Sequence, residues 1–455
     1  MTNTHQTLPA LSALVLFFLA TASVPADDWP RWLGPQGDSV WRETGILEEF
    51  PVEGLKLRWK KEIAGGYSGP SVSEGKVFVT DWVPDPIGGQ PKNLNHGPIP
   101  KNLNFVRELH PGTERILCLE EKSGKLLWKH EYKCDYTSVA TYAIGPRCAP
   151  IVADDFVYCL GAEGDLLCLE TASGKPVWSK NFVRDFGLKI PEWGVASHPL
   201  VDGENLICIV GGKESTCVAF DRRTGEVRWK SGSASKPGYS TPVIFEWGGR
   251  RQLLVWHADA VDSLDPANGR RIWTVPFQST FAMSIGVPRK SGNRIFVMCF
   301  AGMCAAIDVA ENGQSARLAW KGNRNKGMDG VMNTPFLQDG CIYGCGNGGR
   351  YVCADLDDGQ QRWTTYQAAS SQRPIQWGNV FTVKHADRFF LFNDKGELII
   401  ARMNPEGYQE LGKTRIIEPT HQVGRRKLVW THPAFANRSI YVRNDREIRC
   451  YSLAR

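Results

Sequence analysis

The chain has 455 residues, 42% of them hydrophobic and 22% charged, with a formal net charge of +6. This composition is ordinary for a globular protein and excludes a disordered or collagen-like chain. The modest charge, with no block of five like charges, gives no nucleic-acid signature.

The apolar run Leu11–Ala20 is followed by small residues and Pro25–Ala26. This pattern predicts an export signal over residues 1–26, cleaved near Ala26 or Ala22, and a periplasmic or secreted protein. The run is shorter than the ~20 residues that span a bilayer, and no later segment is apolar enough to do so. No Cys precedes Cys118 to carry a lipid anchor. Residues 27–54 are read as an entry segment, rich in Trp, Gly and Pro.

From residue 55 onward one phrase recurs about every 45–50 residues. Each copy has an apolar run, an acidic or polar residue, a small–Gly turn, and a Trp four residues after the Gly. The copies are LEEKSGKLLW (Leu119–Trp128), LETASGKPVW (Leu169–Trp178), FDRRTGEVRW (Phe220–Trp229), LDPANGRRIW (Leu264–Trp273) and ADLDDGQQRW (Ala354–Trp363). A longer copy, IDVAENGQSARLAW, spans Ile307–Trp320. The Gly supplies the positive φ of a hairpin turn. Upstream lies a β-rich stretch such as Phe156–Leu160 (FVYCL), and before it a small residue or His followed by Pro, as at Ala149–Pro150, His198–Pro199 and His432–Pro433. One unit thus holds four short antiparallel strands, and it must stack on its neighbours to bury both faces.

Such units predict an all-β fold, an eight-bladed β-propeller of four-stranded antiparallel blades over residues 55–455. Six units end in Trp. A seventh, from about Trp377 to Leu411, lacks it. An eighth starts near Trp430 and stops after its third strand. Its fourth strand is expected from Leu55–Ile63, with Trp59 in the matching place, so that an N-terminal strand pairs with the C-terminal blade and closes the ring. Each Trp is read as a structural plug between blades, burying ~150–250 Å². Asp81–Gly112, a Pro-, Gly- and Asn-rich insertion in the first blade, is expected to be loop-like and to cover one face of the ring or contact a partner.

The 13 Cys permit disulfides in an exported protein, yet their spacing argues otherwise. Cys118, Cys168 and Cys353 each stand ten residues before a Trp, and Cys450 occupies the matching strand. Equivalent places around a ring cannot pair, so these read as small buried residues. Cys299/Cys304 and Cys341/Cys345 straddle hairpins without a His-rich partner, which disfavours zinc. The odd total leaves an unpaired thiol or an intermolecular bond.

In a propeller the segments entering the innermost strands surround the axis. The Pro landmarks place Tyr67, Tyr142, Arg147, Glu192, Trp193, His198, Tyr239, Met283, Asp329, Asn333, Trp377, Asn379 and His432 there. Aromatic faces beside an Arg suit a flat anionic ligand, and Glu192, Asp329 and Asn333 offer the oxygen donors of a hard cation such as Ca²⁺. Turn chemistry and a wet channel wall account for the same residue types without a ligand. No Ser–His–Asp arrangement, phosphate loop or H-E-x-x-H pattern is present.

The blade phrase resembles the repeat of quinoprotein-type propellers, the pyrroloquinoline quinone (PQQ) dehydrogenase-like superfamily, in which turn and Trp form a tryptophan-docking motif. The match covers residues 55–455. Asp28–Gly45 (DWPRWLGPQGDSVWRETG) also resembles the entry motif of exported bacterial PQQ-like propellers, many of them planctomycete and mostly without assigned activity. A second relative is an eight-bladed outer-membrane assembly scaffold, a lipoprotein. The quinoprotein resemblance implies a PQQ- and Ca²⁺-dependent dehydrogenase of an alcohol or sugar. An aromatic ring would stack on the quinone, Arg147 would oppose its carboxylates, and Asp329 would be the base. Tyr67, Trp193, His198, Tyr239, Asn333, Trp377, Asn379 and His432 would surround the cofactor, and Glu192, Asp329 and Asn333 the cation. The chain departs from that pattern: it has neither the Cys–Cys dipeptide of the alcohol dehydrogenases nor a C-x-x-C-H haem site. A non-catalytic binding or scaffold module, with a small molecule or protein at the funnel, therefore stands first. The quinoprotein oxidoreductase stands second and a carbohydrate-binding or carbohydrate-active ring third.

Overall fold

In the computed structural model, which describes residues 27–86, 92–95 and 99–455, the hairpin units form eight four-stranded antiparallel sheets. The expected export signal lies outside the described residues. Blade 1 runs Ser71–Ser73, Lys76–Pro84, Gly112–Glu120 and Leu126–Lys133. Blades 2 to 7 repeat this order along the chain, ending with Gly407–Arg415. Blade 8 is composite. Ala434–Ala436, Ser439–Arg443 and Glu447–Ser452 are completed by Leu57–Glu62, whose Trp59 sits opposite Cys450. The N-terminal strand closes the ring. No helix among the described residues is long and apolar enough to cross a membrane.

One local geometry explains the repeat. The outer hairpin carries a register shift just before its turn, and the residue facing Trp across the strands is always small. It is Cys118, Cys168, Ala219, Ser263, Ala306, Cys353 and Cys450 against Trp128, Trp178, Trp229, Trp273, Trp320, Trp363 and Trp59. The cysteines are thus volume-limited; all thirteen are buried and free. Each indole then reaches the next blade. Trp59, Trp128, Trp178, Trp229 and Trp320 donate from Nε1 to the carbonyls of Glu121, Thr171, Arg222, Pro266 and Leu356, at 2.8–3.1 Å. Each acceptor stands three residues before the turn Gly of the neighbouring blade, and the ring lies on that Gly. A Cβ at Gly124 or Gly269 would fall 2.5 Å from the indole of Trp59 or Trp229. The Gly therefore serves twice, as a left-handed turn residue and as a flat seat.

Two blades break the pattern for visible reasons. Opposite Trp273 the longer turn of blade 5 offers no such carbonyl. Buried Gln252 stands in, accepting from Trp273 Nε1 (3.0 Å) and donating to the Gly313 carbonyl (2.8 Å). Blade 7 has no Trp because blade 8 has no outer turn to receive one; the chain is interrupted there. Gly412 takes the Trp position opposite Ile400. Phe50 of the entry segment packs over it, 3.3 Å from where a Cβ would stand.

The entry segment runs beneath the ring. Trp29 exchanges backbone hydrogen bonds with Val72, Trp41 and Ser39 bracket Lys384, and Leu47 donates to Leu453. Buried Arg289 donates to the Gly37 carbonyl and the Ser39 hydroxyl. The insertion is not wholly loop-like. Its ends prolong blade 1 (Asp81 opposite Arg115, Pro84 opposite Gly112), and it contains the ribbon Lys92–Asn93 with Glu108–Leu109 and a 3-10 turn, Leu103–Phe105.

Candidate functional site

The segments entering the innermost strands enclose a cavity of roughly 200 Å³ on the ring axis. Its wall holds Tyr67, Tyr142, Arg147, Glu192, Trp193 and His198, followed by Tyr239, Met283, Trp377 and His432. The N-terminal segment supplies a floor through Trp32, whose ring lies 4.3 Å from His198 and 5.5 Å from His432. The blade 1 insertion supplies a roof through Asn102, Asn104 and Phe105, with Val423 of the His421–Leu428 hairpin beside it.

The wall is braced from behind. Trp193 Nε1 donates to the Tyr142 hydroxyl (2.7 Å), and that hydroxyl donates to Asn104 Oδ1, tying wall to roof. The Tyr67 hydroxyl lies 2.9 Å from the Tyr142 carbonyl and 2.6 Å from His421 Nε2, while His421 Nδ1 is 3.0 Å from Asp445. Burial pushes the Tyr67 phenol well above its usual range despite the pull of Arg147. Tyr67 is therefore a neutral bracket. Its ring carries the Arg147 guanidinium at 4.1 Å, which fixes that cation at the cavity wall. Trp377 and Phe281 are held at φ +57° and +55°, a region costly for bulky side chains and typical of strained sites.

Several buried polar atoms on this wall have no partner among the described residues: Arg147 Nε, Glu192 Oε2, His198 Nε2, the Tyr239 hydroxyl, Trp430 Nε1 and both His432 nitrogens. Burial drives both imidazoles to the neutral form, His432 down to about 3 and His198 well below the ordinary histidine range. Glu192 is held by Lys236 through its other oxygen.

Three residues expected on the axis are placed elsewhere. Asp329 accepts the backbone N–H groups of Gly302 (2.8 Å) and Asn347 (2.9 Å), one on each carboxylate oxygen, and so ties two loops together. Burial nonetheless raises its carboxyl above the usual range. Asn333 donates to the Cys345 carbonyl and to Asn379 Oδ1 (3.0 Å), a buried bridge between blades 6 and 7. The candidate base and two-thirds of the candidate cation ligands are thus bound into the scaffold, apart from Glu192. Among the described residues no three His, Cys, Asp or Glu side chains converge on one point. PQQ, a tricarboxylate paired with a calcium ion, would meet a single arginine, a carboxylate oxygen without a partner and two neutral imidazoles. The residues present do not fit it. Trp32, Phe105, His421 and Asp445 escaped sequence reasoning because they lie outside the blade-entry period; the one available signal was the clustering of Trp29, Trp32 and Trp41 in a segment with no hairpin phrase.

Solved structures share the architecture. A quinohemoprotein alcohol dehydrogenase from Comamonas testosteroni aligns at 13% identity, covering 94% of this chain and 81% of its own, with a TM-score of 0.59. One from Pseudomonas putida HK5 aligns at 11% identity over 94% and 80%, also at 0.59. A europium-containing methanol dehydrogenase aligns at 11% over 94% and 90%, at 0.56. At these identities the likeness is one of fold. No curated protein sequence matches the chain. The profile of the PQQ-like repeat family described as outer membrane protein assembly factor BamB matches residues 112–365. More than half of the sequence is thereby covered, from the outer two strands of blade 1 to the end of blade 6, and the chain belongs to that family of PQQ-like β-propellers.

Proposed function

We propose that this protein is an exported, non-catalytic binding propeller whose axial cavity holds a small ligand. The observation that carries this reading is an axial cavity walled mostly by aromatic rings, among whose lining residues several buried polar atoms have no partner among the described residues. A buried donor or acceptor without a partner costs ~1–3 kcal/mol, a cost that a small rearrangement of the wall around an occupant would relieve. An aromatic enclosure with a few convergent polar groups is the usual form of a small-molecule site. The run Leu11–Ala20 supports export, and the family's description as an assembly factor supports a role without chemistry. Among the described residues the site offers no activated nucleophile: Tyr67 and Tyr239 are pushed up by burial, and Asp329 is bound by loop amides.

A quinoprotein dehydrogenase is the second reading, favoured by the fold shared with the alcohol and methanol dehydrogenases. One experiment separates the two. Purified protein is incubated with PQQ and Ca²⁺, and thermal shift, absorbance and dye-linked oxidation of alcohols and aldoses are followed. The binding reading expects no stabilisation by PQQ and no oxidation, with stabilisation by small aromatic compounds. Tight PQQ binding with turnover would overturn it.

A further inference from the structure

We propose that the axial cavity takes an uncharged, flat aromatic molecule of about two fused rings, admitted between Phe105 and Phe281; this rests on the binding reading above and names its ligand class. Phe105 and Phe281 are the two exposed phenylalanines among the described residues, at 44% and 59%, and both line this one cavity. They reach it independently, Phe105 from the blade 1 insertion and Phe281 from the entry to blade 5. Isolated exposed apolar residues need no explanation. Two exposed rings from distant segments on the rim of one aromatic enclosure form a single apolar entrance. Phe281 and the following Ala282 are both held in the left-handed region, at φ +55° and +57°. A backbone costly for any side chain but glycine thus holds an apolar ring in the opening, where water gives it no compensating contact.

Behind the mouth the enclosure has little to offer a charge. Eleven of its 23 lining residues are Phe, Tyr or Trp, and only Arg147 and Glu192 are charged. Those two are of opposite sign, so the wall favours neither an anion nor a cation. Both are engaged: Arg147 donates to the Ala143 carbonyl (2.9 Å) and stacks on Tyr67, and Glu192 pairs with Lys236 while Arg107 lies in its field. His198 and His432 are kept neutral by burial. An ion entering here gives up its hydration without meeting an unengaged countercharge. A polyhydroxylated molecule fares little better. The Tyr67 and Tyr142 hydroxyls and Trp193 Nε1 are committed to the bracing contacts of the wall. The Tyr239 hydroxyl, Trp430 Nε1 and the unpartnered imidazole nitrogens have no exposed surface. The face that an occupant meets is therefore mostly ring carbon, which favours stacked and edge contacts with another ring. An apolar cavity of ~150 Å³ admits benzene, so roughly 200 Å³ admits two fused rings and not a polymer.

The test is titration calorimetry on the full chain at neutral pH with indole and 2-naphthol. The same measurements are made with indole-3-acetate, tryptamine, D-glucose and decahydro-2-naphthol, the saturated and thicker counterpart of 2-naphthol. The two flat neutral compounds are expected to bind, and each of the other four to bind at least roughly tenfold more weakly. Phe281→Gly removes the exposed ring and relieves the left-handed backbone. It should weaken indole by about fivefold, the loss of one aromatic contact, with the melting temperature unchanged or raised. Unchanged affinity in that variant would overturn the entrance. The compound series on the unaltered protein stands even if the variant fails to fold. Indole-3-acetate, tryptamine, D-glucose or the saturated alcohol binding as tightly as the flat neutral compounds would overturn the ligand class and leave the cavity reading intact. Absence of binding by all six would overturn both.

Discussion

If the turn Gly is a seat as well as a turn, two glycines with the same backbone angle must respond differently to a methyl group. Gly75 and Gly269 both have φ +73°, but a Cβ on Gly75 meets nothing within 4 Å, whereas on Gly269 it lies 2.5 Å from the Trp229 ring. Gly75→Ala should therefore cost only the left-handed backbone, ~1–2 kcal/mol. Gly269→Ala adds displacement of an indole that is 8% exposed and donates to the Pro266 carbonyl. At ~25 cal/mol/Å² over ~150–250 Å², burial of Trp229 contributes ~4–6 kcal/mol. Losing half of that and the hydrogen bond (~1 kcal/mol) adds ~3–4 kcal/mol. With an unfolding entropy of ~2.1 cal/mol/K per residue over a cooperative ring, the expected drops in melting temperature are about 1–2 °C for Gly75→Ala and 4–6 °C for Gly269→Ala. Differential scanning calorimetry reads both. Equal shifts, within about 1 °C, would refute the seat and leave the glycines as turn residues alone.

The closure strand gives a second expectation: Trp59→Ala should destabilise by ~3–5 kcal/mol. Trp59→Phe, which keeps a ring but removes the donor to the Glu121 carbonyl, should cost ~1–2 kcal/mol, with limited proteolysis reporting release of the N-terminal strand. At the cavity floor, His432 is held neutral down to about 3, against an ordinary 6.5. Between those values the unfolded chain takes up a proton that the folded one does not, so stability falls with pH, by ~2–3 kcal/mol at pH 4.5. His432→Asn should flatten that acid slope in melting curves; an unchanged slope would contradict the burial. The opposite sign is expected at Glu114, buried between the Tyr132 and Tyr136 hydroxyls and pushed up to about 7 from an ordinary 4.5. Here the folded state holds the extra proton, so its contribution is full below 4.5 and is lost as pH rises through 7, ~3 kcal/mol in all. Glu114→Gln should abolish the decline between about pH 4.5 and 7.

The blades were legible because their determinants are local. A turn Gly, a Trp four residues on and a small residue opposite lie within one hairpin, so the phrase carries strand pairing without distant information. Closure was legible for a related reason: Trp59 had a phrase ending but no turn before it. The axial wall could be read in part from the Pro landmarks, which bring Tyr67, Arg147, Glu192, Tyr239 and Trp377 to one cavity. The same landmarks misplaced Asp329, Asn333 and Asn379, since a polar residue at a blade entry can turn toward neighbouring loop amides as readily as toward the axis. The insertion was expected over one face of the ring, but not that Asn102, Asn104 and Phe105 meet the cavity; the floor was out of reach, because Trp32 arrives from a segment with no period and only the folded ring shows where it ends.

The pairing of Leu57–Glu62 with Glu447–Ser452 sets the order of events during synthesis. The earliest strand leaves the ribosome long before its partner exists, and at ~5–20 residues per second the wait is on the order of 20–80 s. Throughout that interval the nascent chain carries an unpaired strand at its head and, at the growing end, a sheet without its neighbour, both open to adventitious pairing. The wheel becomes whole only once Glu447–Ser452 has been made, so its yield in a cell depends on whatever shields those edges until that strand emerges.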